Sequence, residues 1–218
     1  MSFTALLWKD VRREARGKES VQAALVLAAL FLLVDLYAFS SLADEPRMAA
    51  AVLWVPLVFA AAALVARGFA GEADKGTLAL LRSAPVPLAW HGWSRTLVHF
   101  ALVALLATVT LALTAGLFAL DVTVVLAATL ALAVPGIAVA GTLASALAAQ
   151  ARMRDALLPV LLVPVLAPLL QAGIEATRLA LEGASFTEAR PALLLLVAYD
   201  LIAVGVAWLL WPVVLDGE

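Results

Sequence analysis

The sequence contains no cysteine among its 218 residues, which excludes disulfide bonds, thiolate metal sites and cysteine nucleophiles. Charge is also scarce, because Asp, Glu, Lys and Arg make up 14% of the chain, against roughly 25% in soluble proteins. Apolar residues fill the chain instead: 65% of it is hydrophobic, and the mean hydropathy is +1.07. This composition argues against a soluble fold and predicts an all-α membrane protein.

Six apolar stretches are long enough to cross a bilayer, whose hydrocarbon core needs about 20 helical residues. Little sequence remains outside them, so we predict one transmembrane permease domain over residues 1–218, without a soluble catalytic domain. The predicted spans cover approximately 20–40, 47–66, 94–120, 122–148, 156–174 and 191–214.

Lys and Arg are concentrated on one side of these spans. Eleven lie before the first span, between the second and third, or between the fourth and fifth, whereas three lie in the remaining connections. Basic residues near span ends favour the cytoplasmic side. We therefore predict that both termini are cytoplasmic.

Residues 1–19 have the pattern of an amphipathic helix. Apolar residues recur at helical spacing from Phe3 to Ala15, and the basic residues face elsewhere. Such a helix lies in the plane of a membrane surface, so we predict an elbow helix on the inner leaflet. A signal peptide is the alternative, but Asp10 and Glu14 are atypical of its n-region. The predicted membrane-surface residues are Trp8, Lys9, Arg12, Arg13 and Arg16.

The polar stretch 68–93 separates the second and third spans, and its charged residues make it too costly to place in a bilayer. From Glu72 to Arg82 the acids come first and a base comes last, which matches the dipole of a short helix. Pro85 and Pro87 would end this helix. We predict a cytoplasmic coupling helix that docks on an ATPase, with contacts from Glu72, Asp74, Thr77, Leu78, Leu81 and Arg82.

No catalytic motif is present. Residues 71–77 superficially match a phosphate-binding loop, but Thr77 occupies the position of its lysine and no strand precedes it. Neither G-x-S-x-G nor H-E-x-x-H occurs. We therefore predict a non-enzymatic chain that binds no cofactor or metal directly. A role for His99 as a haem or metal ligand is an alternative to a structural role.

Two carboxylates lie inside predicted spans. Asp35 is about 22 Å along its span from the inner end, and Asp200 about 21 Å, at about 1.5 Å per helical residue. They are thus expected at one depth, in the outer half of the bilayer. Together with Tyr199 they predict an intramembrane polar site, in a pocket or at a subunit seam. The alternative is that each carboxyl joins helices by hydrogen bonding.

Several smaller patterns concern helix packing. Gly141 and Ser145 form a small-xxx-small pair, which favours close packing within one subunit or at a dimer seam. Residues 175–190 mix polar and apolar side chains and predict re-entrant or surface helices on the outer face. The fifth span has three prolines, which argue against a regular helix: Pro159, Pro164 and Pro168. Interfacial belt residues are expected near the inner end of the sixth span: Trp208 and Trp211.

Five segments, taken in order, resemble the CcmB family, haem exporter protein B of bacterial cytochrome c maturation. The resemblance covers nearly the whole chain, including its length and six-span plan. The family is the membrane subunit of an ABC transporter. The segments are L-L-W-K-D-V-R-R-E at 6–14, F-A-G-E-A-D-K-G-T-L-A-L-L-R-S-A-P at 69–85, G-T-L-A-S-A-L-A-A-Q-A-R-M-R-D-A-L-L-P at 141–159, A-Y-D-L-I at 198–202 and W-P-V-V-L at 211–215.

The resemblance implies an ABC-2-type exporter permease in the bacterial cytoplasmic (inner) membrane. It implies two copies of this chain with two CcmA-like ATPase subunits, which bind the ATP and Mg, beside CcmC-like and CcmD-like subunits. ATP hydrolysis would drive haem delivery, or release of a haem-loaded CcmE-like chaperone, so the complex handles the haem. The lipid bilayer is a partner and nucleic acid is not. Gly68 and Gly71 depart from the family, which often has bulkier residues there.

Two other functions are compatible with the spans. The first is an ABC-2-type permease that exports a lipid, a drug or a glycan. The second is a proton-coupled secondary transporter, suggested by Asp35 and Asp200, although the inverted repeat typical of that class is not evident in the sequence. An intramembrane enzyme is disfavoured because no nucleophile–base set appears.

Overall fold

A computed structural model describes residues 3–17, 19–39, 46–74, 87–149 and 154–216. Within these ranges all regular secondary structure is α-helical, which confirms the predicted fold class for the described part of the chain. The helices are α1 (Phe3–Arg16), α2 (Glu19–Phe39), α3 (Pro46–Asp74), α4 (Leu88–Phe118), α5 (Val124–Ala149), α6 (Arg154–Leu181) and α7 (Phe186–Asp216).

Five of the described helices are long and apolar enough to cross a membrane: α2, the Pro46–Ala66 part of α3, α4, α5 and α7. Their number and hydropathy indicate a multi-pass membrane protein. The sixth predicted span, 156–174, falls within α6, and the six-span arrangement stays a prediction.

Two helices extend beyond their predicted apolar spans and into the polar stretch 68–93. Helix α3 continues to Asp74, and α4 begins at Leu88. Hydropathy detects only the apolar part of a helix, whereas backbone hydrogen bonding continues for as long as the sequence tolerates it. The two helices therefore end at Asp74 and begin at Leu88, closer together in sequence than the apolar spans predict.

The segment 175–190 differs from its prediction. Residues 175–181 continue α6 and residues 186–190 begin α7, so these residues belong to the two long helices. The placement of the segment on the outer face stays a prediction. The polar residues there stabilise the helix end, since Arg178 pairs with Glu175 at 2.6 Å and with Glu182, at i,i+3 and i,i+4 spacing. The hydrogen bond from Arg178 lowers the pKa of the exposed Glu175.

The turn between α6 and α7 is short. Gly183 has a φ of 78°, a left-handed conformation that favours glycine and lets the chain leave α6. Ser185 then caps α7, because its backbone N–H and its hydroxyl both donate to Glu188 Oε2, at 2.7 and 2.8 Å. The bond from the Ser185 backbone N–H to the Glu188 carboxylate is one half of a capping box.

The prolines of α6 do not interrupt it, since the helix is continuous from Arg154 to Leu181. Pro164 and Pro168 lie on its exposed face, while Leu162, Leu166 and Leu169 on the other face are buried. The irregular helix predicted from these prolines is therefore not observed as a break. Neighbouring helices pack against its buried face and support it.

Helix α5 lies at the centre of the bundle and packs against α3, α4, α6 and α7. Small residues allow these close contacts. A Cβ placed on Gly141 would lie 3.1 Å from Val65 of α3, and the Ser145 hydroxyl lies near Gly68 of the same helix. The Gly141–Ser145 pair thus packs within one chain, the first of the two arrangements considered for it.

Candidate functional site

Helices α1, α3, α4 and α7 meet near the end of α3 and the start of α4. We name the residues at this contact the loop-end junction, because residues 75–86 connect these two helices. The junction combines one buried carboxylate with polar, basic and aromatic side chains. Its members are Asp10 of α1, Phe69 of α3, His91, Ser94 and Arg95 of α4, and Trp211 of α7.

Asp10 is the polar centre of the junction and is fully buried. The Ser94 hydroxyl donates a hydrogen bond of 2.6 Å to Asp10 Oδ2. On the other oxygen, Arg95 Nη2 lies 3.4 Å and Lys9 Nζ 3.3 Å from Oδ1. The His91 ring approaches Oδ2 to 4.0 Å. A buried carboxylate is costly unless it is paired and hydrogen-bonded. Here Oδ2 is hydrogen-bonded, and Oδ1 is held by ion pairs.

Phe69 connects the polar centre to α7. The Arg95 guanidinium carbon lies 5.8 Å from the centre of the Phe69 ring, within the range of a cation–π contact. His91 meets the same ring edge-on at 5.8 Å, and Trp211 packs beside it at 6.0 Å. Arg95 therefore contacts both α1, through Asp10, and α3, through Phe69.

Trp211 fits against a glycine of α4. A Cβ on Gly92 would lie 2.3 Å from Trp211 Cδ2, so only glycine allows the indole to sit there. The interfacial belt role predicted for Trp211 is wrong, because the residue is fully buried in these contacts. Trp208 is 69% exposed and packs with Trp93 at 6.1 Å.

His99 lies deeper along α4 and is buried. Its Nδ1 is 2.8 Å from Thr142 Oγ1 of α5, and that hydroxyl also donates to the Ala138 carbonyl. A Cβ on Gly68 would lie 2.5 Å from His99 Cε1 and 2.9 Å from Nε2. The ring is thus held between α3 and α5, and the glycine at position 68 makes room for it. Within the described ranges, no group of three or more His, Cys, Asp or Glu side chains could hold a metal ion.

Comparison with known proteins identifies the family. The sequence profile of the family described as "CcmB protein" matches residues 1–213. The chain belongs to the CcmB family. The resemblance noted in the sequence is therefore confirmed.

Two curated members of the CcmB family illustrate the likeness. "Heme exporter protein B" of Paracoccus denitrificans is 30% identical over 213 residues, which cover 93% of each chain. "Heme exporter protein B" of Rhodobacter capsulatus is 30% identical over 188 residues, which cover 82% of this chain and 84% of the relative. The family profile itself extends over all the residues of the loop-end junction.

Two of the six predicted coupling residues of this CcmB-family chain lie within the described residues. Glu72 and Asp74 belong to the last turn of α3. The other predicted contacts lie outside the described residues: Thr77, Leu78, Leu81 and Arg82. The coupling helix predicted from Glu72 to Arg82 therefore remains a prediction, although its first residues continue α3.

The basic residues predicted to face the membrane surface lie on one side of α1. A groove of about 530 Å³ is lined mainly by predicted residues, and the Arg12 guanidinium lies 4.8 Å from the centre of the half-exposed Trp8 ring. The opposite side of α1 packs on α4, with Leu6 and Asp10 buried. The groove residues are Ala5, Trp8, Lys9, Arg12, Arg13 and Arg16.

The intramembrane carboxylates are not brought together within one chain. Asp35 is buried on α2, which packs against α3 and α4. Asp200 instead faces α5, since a Cβ on Gly136 would lie 2.5 Å from its Oδ1. Tyr199 approaches the same glycine and donates a 3.0 Å hydrogen bond to the Val165 carbonyl of α6. Tyr199 and Asp200 thus share one environment and Asp35 occupies another.

Sequence reasoning missed Asp10, Ser94 and Arg95 as site residues. One signal was available, because Asp10 follows Leu6 by four positions and therefore lies on the same face of α1. An acid on an apolar helix face indicates a buried partner. The identity of that partner on α4 depends on tertiary packing.

Proposed function

We propose that this chain is the membrane subunit of an ABC transporter complex for cytochrome c maturation. It would couple ATP hydrolysis by a separate CcmA-like ATPase to haem delivery or to release of the haem-loaded chaperone. The main support is membership of the CcmB family over residues 1–213, whose curated relatives are named heme exporter protein B.

The proposed topology is that of an ABC-2-type permease with six spans, in the bacterial inner membrane, with both termini cytoplasmic. Helix α1 would be the elbow helix and residues 68–93 the coupling region. Two features support this arrangement: the basic groove of α1, and the packing of α1 against α4, the helix that follows the predicted coupling residues. Basic residues favour the cytoplasmic face.

The chain itself supplies contacts rather than chemistry. Its sequence has no phosphate-binding loop, so the ATPase would bind the ATP and Mg and transmit force by contact. A partner shifts a conformational equilibrium only through contacts that differ between its two states. We assign these contacts to the coupling residues at 72–82, from which α3 and α4 carry the displacement into the membrane.

The proposed assembly contains a second copy of this chain, two ATPase subunits, and CcmC-like and CcmD-like membrane subunits. The haem chaperone resembles CcmE. The haem is cargo of the complex, and no cofactor is assigned to this chain. In this assembly, the predicted joint site of Asp35 and Asp200 would lie at a seam between two copies.

Copurification tests this proposal. We expect the tagged chain, isolated from its own bacterium in mild detergent, to retain an ATPase of the maturation system and CcmC-like and CcmD-like subunits. Deletion of the chain is expected to abolish mature cytochrome c. Recovery of an unrelated ATPase, with normal cytochromes in the deletion strain, would favour a permease for a lipid, drug or glycan.

The substitution Leu78→Asp tests the coupling residues. A carboxylate on the docking face is expected to uncouple ATP hydrolysis from maturation while the chain stays in the membrane. Leu80→Asp is the matched control, because helical spacing places Leu80 on the opposite face. Mature cytochrome c is measured by its covalent haem stain. Wild-type maturation in the Leu78→Asp strain would count against the assignment.

A further inference from the structure

We propose that Asp10 is a positioning residue for energy coupling. Through Ser94 and Arg95 it fixes α1 to the helix ends that flank residues 75–86, so that α1, α3, α4 and the end of α7 move as one unit. This inference rests on the proposed function, because it assumes that a partner displaces the loop. It assigns a role to a buried contact set that the family membership alone does not explain.

The first support is the burial of Asp10. An elbow helix held only by the membrane surface would present apolar residues on its buried face, as Leu6 does at 1% exposure. Four positions later a carboxylate is buried at 0% exposure. Such a group is stable only in the geometry that keeps its partners. The contacts of Asp10 therefore fix the position of α1 on α4 more narrowly than apolar packing would.

The second support is where these partners lie. Ser94 and Arg95 occupy the second turn of α4, which begins at Leu88, soon after residues 75–86. Phe69 lies within the last two turns of α3, before the loop. Since Arg95 contacts Asp10 at 3.4 Å and the Phe69 ring at 5.8 Å, one side chain links α1 to both helix ends.

The third support is the attachment of α7. Trp211 packs against Phe69 and occupies the space left by the missing side chain of Gly92. Trp211 and Phe69 are both fully buried, so the indole has no room to slide. The final span is thereby joined to the same unit, and displacement of the loop ends would reach the bundle through four helices at once.

The test compares Asp10→Asn with Glu14→Gln in the whole complex in its own membrane. Glu14 lies on the same helix but outside the junction. Asp10→Asn keeps the size of the side chain and removes the charge that faces Arg95. We expect the variant to reach the membrane and to copurify its ATPase normally. Mature cytochrome c is expected to fall about tenfold, while ATP hydrolysis continues. A factor of this size is typical of the coupling between two sites of one protein. Glu14→Gln is expected to behave as wild type.

A double variant separates positioning from simple loss of structure. Removing one member of a buried ion pair is more damaging than replacing both. We therefore expect Asp10→Asn with Arg95→Gln to support more maturation than Arg95→Gln alone. If the two residues acted independently, the double variant would instead lose maturation by the product of the two single losses.

Movement as one unit is tested by crosslinking. The Phe3 and Trp90 rings meet edge-on at 6.2 Å and lie on α1 and α4. Because the chain has no cysteine, Phe3→Cys with Trp90→Cys can be joined by a short, cleavable thiol crosslinker. We expect the crosslinked complex to keep its ATP-driven activity. Inhibition that is reversed by cleaving the crosslinker would show that α1 moves against α4 and would overturn the proposal.

Two other results would overturn it. One is wild-type maturation in the Asp10→Asn strain. The other is a maturation defect that only matches a loss of ATPase copurification, since Asp10 would then act in assembly. If Asp10→Asn does not accumulate, Ser94→Ala, which removes one hydroxyl, is judged by the same criteria. Failure of the proposed function is distinguishable, because the wild-type chain itself would then lack an ATPase partner.

Discussion

The contact between Gly92 and Trp211 leads to a quantitative prediction for Gly92→Ala. The added Cβ would lie 2.3, 2.6 and 2.7 Å from three indole atoms, whereas real Cβ contacts are not closer than about 3 Å. These atoms belong to the fused rings, which cannot rotate out of the way. Trp211 is also fully buried, so the ring or the whole of α4 must move.

Two effects of opposite sign determine the magnitude. Overpacking of a buried site costs about 1–3 kcal/mol, and three short contacts with a rigid ring favour the upper end of this range. Replacing glycine by alanine inside a helix contributes about 0.5–1 kcal/mol of stability. We therefore expect Gly92→Ala to lower the free energy of unfolding by about 2 kcal/mol.

The same helix provides the control. A Cβ on Gly116 of α4 would meet nothing within 4 Å. Gly116→Ala is therefore expected to gain about 0.5–1 kcal/mol from helix propensity alone. Unfolding of both variants is measured in mild detergent by the loss of helical circular dichroism as a denaturing detergent is added.

A second substitution identifies the cause. Trp211→Leu removes the fused rings, so Gly92→Ala is expected to cost much less in that background, with a coupling energy of about 1 kcal/mol or more. Equal stability of Gly92→Ala and Gly116→Ala would refute the steric argument. Equal cost of Gly92→Ala with and without Trp211 would show that the indole is not responsible.

Two further predictions concern the middle of the bundle. Trp54→Phe removes the 2.9 Å hydrogen bond from Nε1 to the buried Thr177 hydroxyl. We expect the free energy of unfolding to fall by about 1–2 kcal/mol in the same assay. Adding Thr177→Val to this variant is expected to restore part of the loss, because no buried hydroxyl is then left unpaired. If Asp35 and Asp200 act jointly at a seam between copies, Asp35→Asn with Asp200→Asn is expected to reduce maturation or assembly by more than the product of the single effects. Intact activity and assembly in that double variant would rule out a joint site.

The sequence predicted which segments are helical better than the residues at which the helices begin and end. Hydropathy located α2 and α5 closely, because these helices are apolar almost from end to end. It placed the start of the third span at 94, whereas α4 begins at Leu88. The intervening residues include His91 and Gly92, which lower the local hydropathy although their side chains are buried or absent. Such a boundary depends on packing against α1 and α7 and not on local composition.

The positions of side chains around each helix were harder to predict. Rise per residue gives the depth of Asp35 and Asp200 in the membrane, but residues at one depth can face opposite sides of a bundle. The small-xxx-small spacing likewise identified Gly141 as a point of close approach without identifying Val65 as its neighbour. Trp211 lies where belt residues are common, yet its contact with Gly92 determines its role.

Glycine pairings of this kind explain how the bundle resists sliding. Apolar burial provides little attraction between helices inside lipid, so van der Waals fit and hydrogen bonds must hold them together. A missing Cβ admits a bulky or polar neighbour at several levels: Trp211 at Gly92, His99 at Gly68, Trp54 at Gly173 and Asp200 at Gly136. Each pairing has one favourable register, and packed cores change between discrete arrangements rather than deforming continuously.

The spans also differ in how much of their surface is buried within the chain. In α5, 67% of the span is buried and in α3 61%, compared with 28% in α4, 22% in α2 and 17% in α7. If a partner displaced the ends of α3 and α4, the displacement would therefore meet a tightly fitted centre formed by α3 and α5. The lightly covered helices α2 and α7 have most of their surface free of contacts within this chain. Relative motion is consequently expected at the outer surfaces of α2 and α7, where lipid or neighbouring subunits would lie, and not between α3 and α5.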